Sequence, residues 1–333
     1  MRLTFKELKD EIAKIVPKSI EYKVDLEAGN IAIVTPVPEK FGGGDGLVGK
    51  IAKKVKRKIK IRPDPSIVKP EQEAKSIIES IIPEEADISQ IYFDGCFSEV
   101  IIQCQNPGEA VGRRGANVNE IRNKTGWIPK VERTPPIFSK SVHDVRSYRN
   151  SIADERKKLL KDFGLNIHRP KRPSSTWVRV TALGSYREVG RACHLVTTNE
   201  SRVMIDVGVN IASDTDPMPY FTAPEALPLE KLDAVVLTHS HLDHAGMLPV
   251  LFKYGYRGPV YCTPPTRDLM LLLQTDYIKV GGAEGKRPAY DMEDIRTCMK
   301  HVVDVDWGET TDITPDVKLT FSNAGHILGS SAV

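Results

Sequence analysis

Residues 238–246 read THSHLDHAG, which sets His239, His241, Asp243 and His244 within six consecutive positions. A hydrophobic core has no use for such a cluster. Neutral imidazoles suit zinc or another borderline divalent cation, and a carboxylate among them balances charge and tolerates a second ion nearby. The chain has eight histidines, so three in one short loop point to metal ligands rather than packing. Two further stretches carry candidate groups: MIDVG places Asp206 at the end of an apolar run, and NAGHILGS places His326 between glycines. His143, His168, His194 and His301 have no ligand-like neighbours and are read as packing or surface residues.

The elements that must position these groups follow from periodicity. Ala234 to Leu237 form a short apolar run suited to a buried strand, so the histidine cluster falls where that strand opens into a loop and helix. From residue 173 onward short strand-like runs alternate with turns (TWVRVTAL, ACHLVTT, RVMIDVG, DAVVLTHS), the opening of an α/β layer. The H-x-H-x-D-H pattern resembles the metal-binding signature of the metallo-β-lactamase superfamily, with MIDVG and NAGHILGS similar to its first and third motifs. That resemblance implies two Zn2+ ions. His239, His241 and His326 would hold one, Asp243 and His244 would contribute to the second, and Asp206 would orient ligands from behind. A metal-activated hydroxide would be the nucleophile, with Asp206 and Asp243 as the catalytic carboxylates.

The first third of the chain repeats. Residues 1–69 laid over the following stretch at an offset of 66 bring Pro17 onto Pro83, Gly42 onto Gly108, Gly46 onto Gly112, Gly49 onto Gly115 and Pro63 onto Pro129. Each copy opens with an amphipathic helix, through Leu8, Ile12 and Ile15 in one and Ala74, Ile78 and Ile81 in the other. Two strand-like runs, a glycine-rich turn, a helix and a last short strand follow. That order, with G-x-x-G before the later helix, resembles a type II KH domain. In the second copy the turn is Gly112, Arg113, Arg114 and Gly115. Its glycines allow close backbone approach to a phosphate, the next helix offers N–H groups, and the arginines add charge. The first copy's counterpart is read as Gly46-Leu47-Val48-Gly49, whose middle residues are apolar and unsuited to facing phosphate. Its following segment carries Lys50, Lys53, Lys54, Lys56, Arg57, Lys58, Lys60 and Arg62 without an acidic residue, a run that can attract a nucleic-acid backbone.

The organisation expected is therefore residues 1–69 and 70–135 as tandem type II KH-like domains of α+β class, and 136–172 as a helical connector. Residues 173–333 form the first half of an α/β metallo-β-lactamase αββα sandwich. The connector reads as one charged helix with a stripe through Val142, Val145, Ile152, Leu159, Leu160 and Phe163, closed by RPKRPSS as a short extended linker.

GSYREVGRACHLV, PTRDLMLLLQTDYIKV and AGHILGSSAV, together with the tandem KH pattern, resemble the archaeal KH-domain ribonucleases of the β-CASP family related to the cleavage and polyadenylation specificity factor. The resemblance implies a homodimeric, zinc-dependent endoribonuclease, with 5′–3′ exonuclease behaviour also known in the family. It would cut single-stranded RNA and end transcription by cleaving transcripts as they emerge from RNA polymerase and its elongation factors. Family members continue well beyond the position of Val333, which lies seven residues past His326. The fourth-motif aspartate, the β-CASP insertion and its later histidines have no counterpart before that point. The chain is accordingly read as a truncated product with an exposed apolar face. An RNA-binding fragment without catalysis is the alternative function, and a metal-dependent thioester hydrolase ranks last because it leaves the KH repeat unexplained.

Composition narrows the class without choosing it. No apolar run approaches the ~20 residues that span a bilayer, and the start MRLTFKELKDEIAKI lacks a signal peptide's apolar centre, so a cytoplasmic protein without a membrane segment is expected. Cys96, Cys104, Cys193, Cys262 and Cys298 include no C-x-x-C pair, which argues against a thiolate zinc site and for buried thiols. A net charge of +3 is too small to identify a partner, so the local basic runs carry the argument instead.

Overall fold

A computed structural model describes residues 3–42, 46–170, 176–213, 215–285 and 287–333. The chain divides into two units, Met1–Lys161 and Asp162–Val333.

In the first unit one small fold occurs twice. The first copy comprises α1 (Phe5–Ala13), β1 (Lys23–Glu27), β2 (Asn30–Thr35), α2 (Leu47–Val55) and β3 (Ile59–Pro63). The second comprises α3 (Glu71–Ile81), β4 (Ile88–Asp94), β5 (Glu99–Cys104), α4 (Pro107–Val111), α5 (Ala116–Thr125) and β6 (Ile128–Arg133). Each sheet is an antiparallel hairpin whose second strand pairs in parallel with the last strand. Helix α1 starts where it does because Thr4 and Glu7 form a reciprocal capping box that satisfies otherwise orphaned N–H groups.

The gapless offset of 66 holds only for the opening helix, where Leu8, Ile12 and Val16 correspond to buried Ala74, Ile78 and Ile82. The hairpin tip joins Glu27 to Asn30 in one copy and Asp94 to Glu99 in the other. A register shift between Ile88 and Gln90 precedes the tip, and the tip itself holds two more residues in the second copy. By the later helix the offset is 70, with buried Ile51 and Val55 matching Ile121 and Thr125, and left-handed Lys56 matching left-handed Gly126. The backbone counterpart of Gly112 (φ 73°, ψ 168°) is thus Gly42 (φ 49°, ψ 155°). The turn expected at Gly46–Gly49 is corrected accordingly. Gly46 caps α2, and Leu47, Val48 and Gly49 form its first turn. A hairpin tip accepts extra residues without disturbing the ladders, so the repeat drifts in a way that a rigid overlay misses. Residues 43–45, which follow Gly42, lie outside the described residues.

Arg62 also departs from expectation. It is 8% exposed rather than free to meet phosphate. Its Nε and Nη2 donate to the two Glu27 carboxylate oxygens (2.7 and 2.8 Å), while Nη1 donates to Glu99 of the second copy (2.8 Å). The guanidinium lies 4.8 Å from the centre of the Phe97 ring, and Lys130 also pairs with Glu99 (2.7 Å). This bridge joins the two copies. Burial opposes the Glu99 charge, but Arg62 and Lys130 outweigh it and hold that carboxyl below its ordinary value of 4.5. A depressed carboxylate contributes stability above its unfolded value and loses that contribution as pH falls through the folded one. Arg62→Met is therefore expected to cost about 3–5 kcal/mol by stranding Glu27 and Glu99, and to move acid unfolding of this unit to higher pH. Hydrogen exchange at β2 and β5 across a pH series checks both.

The connector forms two helices, α6 (Lys140–Ser151) and α7 (Ala153–Ile167), because Ile152 adopts a non-helical backbone (φ −112°, ψ 23°). Val145, Leu160, Phe163 and Ile167 are buried along them. The boundary between the units falls within α7. Residues 171–175 of the expected linker lie outside the described residues.

The second unit contains β7 (Val178–Gly184), β8 (Cys193–Thr198), β9 (Arg202–Ile205), β10 (Ala234–Val236), α8 (Leu242–Ala245), α9 (Leu248–Lys253) and β11 (Val260–Cys262). It continues with α10 (Pro264–Ala283), α11 (Met292–His301), β12 (Val302–Asp304), β13 (Thr310–Asp312), β14 (Lys318–Thr320), β15 (Ser322–Asn323) and β16 (Ser331–Ala332). Among the described residues one sheet runs β12-β11-β10-β9-β8-β7, parallel from β12 to β9 and antiparallel from β9 to β7. Helices α8 and α9 make the crossover from β10 to β11 and helices α10 and α11 that from β11 to β12, while β9 reaches β10 through the long 206–233 connection, which has no α-helix among its described residues. On one face Val203, Ala234, Val236 and Tyr261 pack against Ile313, Leu319 and Phe321. That face is uncovered at β7, where Val178 and Val180 are 69% and 61% exposed. All five cysteines are buried and none is in a disulfide, and no described helix is long and apolar enough to cross a membrane.

Candidate metal centre and nucleic-acid interface

The metal-ligand candidates gather at the carboxyl ends of two adjacent parallel strands, the usual place for function in an open α/β sheet. Asp206 directly follows β9, and His239 is the third residue after β10. Asp206 sits in the left-handed region (φ 59°), a conformation that costs a non-glycine residue about 1–3 kcal/mol and is retained where its surroundings enforce it. Here its N–H donates to Val236 O (2.9 Å), Oδ1 accepts from Thr238 N–H (2.8 Å), and Oδ2 accepts from Thr238 Oγ1 and His244 Nδ1 (2.8 Å each).

The short helix α8 is clamped by backbone. Val209 N–H donates to Leu242 O (2.9 Å), Ala192 N–H to Asp243 O (2.8 Å) and Val207 N–H to His244 O (2.6 Å). Gly208 allows this approach, since a Cβ there would stand 1.7 Å from Asp243 O. The loop bearing His326 is fixed from the other side. Ser330 Oγ accepts the N–H groups of His326 and Ile327 (3.1 Å each), Thr263 Oγ1 donates to Gly329 O (2.7 Å), and Ser331 N–H donates to Thr238 O (2.8 Å).

These supports place ligand atoms of His239, His241 and His326 within 4.8 Å of one another, the one such group among the described residues. The tautomers follow from the hydrogen bonds. Thr238 commits its hydroxyl hydrogen to Asp206, so His239 Nδ1 carries a proton and donates it to Thr238 Oγ1 (2.8 Å), leaving Nε2 with its lone pair. His244 Nδ1 likewise donates to Asp206, and its Nε2 lies 3.6 Å from Asp243 Oδ2. His241 Nδ1 and His326 Nε2 face each other at 3.2 Å. Two ligands of a tetrahedral zinc with Zn–N of about 2.0–2.1 Å stand about 3.3 Å apart, so this spacing fits a shared cation. Burial, followed by the neighbouring imidazole of His244, lowers His239 to about 4, which keeps it neutral as a ligand must be. Burial alone would lower His244, but the bond to Asp206 outweighs it and raises that group.

Asp206→Asn keeps the shape and removes the charge behind two imidazoles. The expected result is a 10–100-fold fall in zinc affinity with the fold retained, read by competition against a chromogenic zinc chelator.

The sequence pointed to Asp206, His239, His241, Asp243, His244 and His326, and the structure brings all six into one neighbourhood. Asp243 and His244 stand as a pair beside the three-histidine cluster rather than within it. Thr238 and Ser330 were missed. Their only sequence signal is adjacency to the histidine motifs, and their roles appear once β10 and the His326 loop are side by side. The four other histidines are accounted for by packing: His143 lies against Tyr92, His194 against Tyr186 and His301 against Phe163 and Phe252, while His168 is buried.

At the second KH-like turn, Gly112, Arg114 and Gly115 all have positive φ, and Arg113 and Arg114 are exposed. Helix α5 begins directly afterwards with no side chain capping its N–H groups. The turn thus presents positive charge and unclaimed donors together. In the first copy Lys53, Lys54 and Lys56 are exposed and Arg57 half-buried, although Lys54 also pairs with Glu11 (3.3 Å) and Arg57 donates to Lys56 O (2.8 Å).

Family models match a part of each unit. Residues 195–332 match the metallo-beta-lactamase superfamily domain, and residues 2–68 match the KH domain of transcription termination factor FttA. The transcription termination factor FttA of Methanosarcina mazei is 48% identical over 326 residues, covering 98% of this chain and 51% of that protein. Those of Pyrococcus abyssi and a Lokiarchaeum species are 43% and 39% identical, covering 98% and 99% of this chain and 52% of each relative. The chain spans about half the length of these curated relatives. It carries a KH domain followed by a metallo-beta-lactamase superfamily domain and is similar, over nearly all of its length, to proteins named transcription termination factor FttA.

Proposed function

We propose that this chain contributes the RNA-holding and metal-binding parts of a zinc-dependent endoribonuclease. The enzyme cuts single-stranded RNA, and its role is to end transcription by cleaving the nascent transcript. The observation that carries the reading is the approach of His241 Nδ1 to His326 Nε2 at 3.2 Å beside His239, above a carboxylate that fixes two imidazole tautomers. When bound, zinc supplies an activated water and neutralises charge on the phosphate. The chain's own residues do the rest. Asp206 orients His239 through Thr238 and His244 directly, Asp243 adds a carboxylate beside His244, and Arg113, Arg114 and the start of α5 hold backbone phosphates. The termination role, contact with RNA polymerase and its elongation factors, 5′–3′ exonuclease behaviour and assembly as a homodimer belong to this proposal for the whole protein. The relatives' name supports the first of these.

A second reading is favoured by one observation: among the described residues the metal-ligand group contains three histidines, with Asp243 and His244 alone available for another ion. On that reading this chain grips RNA without cutting it. End-labelled single-stranded RNA incubated with the chain, with and without zinc and chelator, decides between them. Chelator-sensitive cutting supports the nuclease. Binding without cutting, weakened by Arg113→Ala/Arg114→Ala, supports the RNA-holding part alone, and absence of both rejects the proposal.

A further inference from the structure

The hairpin connection between β7 and β8 is held in an unusual way. Within seven positions Ser185, Arg187 and Arg191 all adopt left-handed backbone (φ 68°, 62° and 44°), and Gly190 has φ 105°. None of the first three is glycine, asparagine or aspartate, the types that favour this region. A hairpin that merely joined two strands would use a short turn built from such residues. The strained path is fixed from inside. Glu188 Oε1 accepts from Ser185 N–H (3.3 Å) and Arg191 Nε (2.6 Å), while Arg191 Nη1 reaches the Asp216 carboxylate (2.5 Å) and the Met218 carbonyl (3.3 Å). Gly190 lies flat against Asn210, where a Cβ would be 2.8 Å from the Asn210 Cα.

What this frame presents outward is Tyr186, Arg187 and Val189. Tyr186 is 60% and Val189 87% exposed, and Arg187 is exposed as well. The position of the loop is set by the residue that ends it. Ala192 N–H donates to Asp243 O (2.8 Å), and Ala192 O accepts from Gly208 N–H (2.9 Å), so the loop springs from the segment that clamps α8. An aromatic ring and a guanidinium at consecutive positions are the side chains that single-stranded nucleic acid engages, by stacking of a base and by pairing with a phosphate.

We propose that Tyr186 and Arg187 form a nucleotide-positioning contact at the rim of the metal centre, holding a nucleotide of single-stranded RNA that flanks the scissile phosphate. The proposal deepens the nuclease reading and rests on it. The anchoring set (Glu188, Gly190 and Arg191) spends backbone strain to keep the two exposed side chains in one place rather than to pack a core. This contact is separate from the KH-like turn, since it belongs to the other unit of the chain.

The test uses the full chain with zinc and an oligouridylate carrying 4-thiouridine, photocrosslinked and mapped by mass spectrometry, together with anisotropy measurements of affinity. Wild type is expected to crosslink both near Arg113/Arg114 and at Tyr186. In an Arg113→Ala/Arg114→Ala background, adding Tyr186→Ala and Arg187→Ala is expected to lower the remaining affinity about tenfold and remove the loop crosslink. Tyr186→Phe and Arg187→Lys should keep most of it, and zinc content should stay unchanged. Crosslinks confined to the KH-like turn, or affinity unmoved by the loop substitutions with zinc retained, overturn the loop assignment and leave the nuclease reading standing. Wild type that neither binds nor crosslinks RNA overturns both.

Discussion

His241→Ala is expected to lower zinc affinity by more than about 100-fold, beyond the 10–100-fold typical of an outer-shell partner, and with it to remove any chelator-sensitive cleavage of RNA. The imidazole is one of three whose ligand atoms meet within 4.8 Å, and its Nδ1 faces His326 Nε2 at 3.2 Å, so nothing else among the described residues takes its place. The fold should survive, because His241 is only half-buried and α8 is held by backbone bonds from Val207, Val209 and Ala192. Isothermal titration with zinc, beside circular dichroism, reads both. His143→Ala is the control. That ring packs against Tyr92 and Phe138 and should leave zinc binding unchanged. Retention of wild-type zinc affinity by His241→Ala would show that the three histidines are not a ligand set.

Gly208→Ala is expected to be the most damaging single substitution in the second unit. The added Cβ would stand 1.7 Å from Asp243 O and 2.8 Å from Ala192 N, and both are backbone atoms engaged with each other at 2.8 Å. No side chain can swing away to make room, so the 206–209 segment or α8 must move. The expected cost is about 3–4 kcal/mol, seen as a fall of roughly 10 °C in the melting temperature of this unit, with zinc affinity lost because Asp206 and His244 separate. Gly282→Ala near the end of α10 is the matched control. Its Cβ would meet nothing within 4 Å, and alanine favours the helix, so stability should hold or rise slightly. Equal melting temperatures for the two variants would overturn the clamping role assigned to Gly208.

Local order carried much of this protein into legible sequence. Residue types at H-x-H-x-D-H, the apolar run Ala234–Leu237 and the helix periodicity at Leu8, Ile12 and Ile78 each report on neighbours a few residues away, and the strand and the helices lie where that periodicity put them. The existence of the repeat was legible for the same reason. Its register was not. Two extra residues at the Asp94–Glu99 hairpin tip and a register shift between Ile88 and Gln90 help to move the glycine turn without any local mark in the sequence. Arg62 shows the other kind of loss. In sequence it is the last member of a basic run, and only the meeting of Glu27 and Glu99 from two different strands turns it into a buried bridge.

The sequence by itself determined which side chains could bind a metal and that a KH-like turn with two arginines precedes them, because coordination and phosphate chemistry are properties of residue types at short spacing. Tertiary structure alone decided that Asp206, Thr238, His239 and His244 form one hydrogen-bonded set, that His241 meets His326, and that Gly208 lets two backbones touch. It also decided that the β7–β8 loop springs from the segment clamping α8. Those contacts join residues 32 to 85 positions apart along the chain, and such partners are chosen by how the strands line up in the sheet rather than by anything within reach of a local pattern.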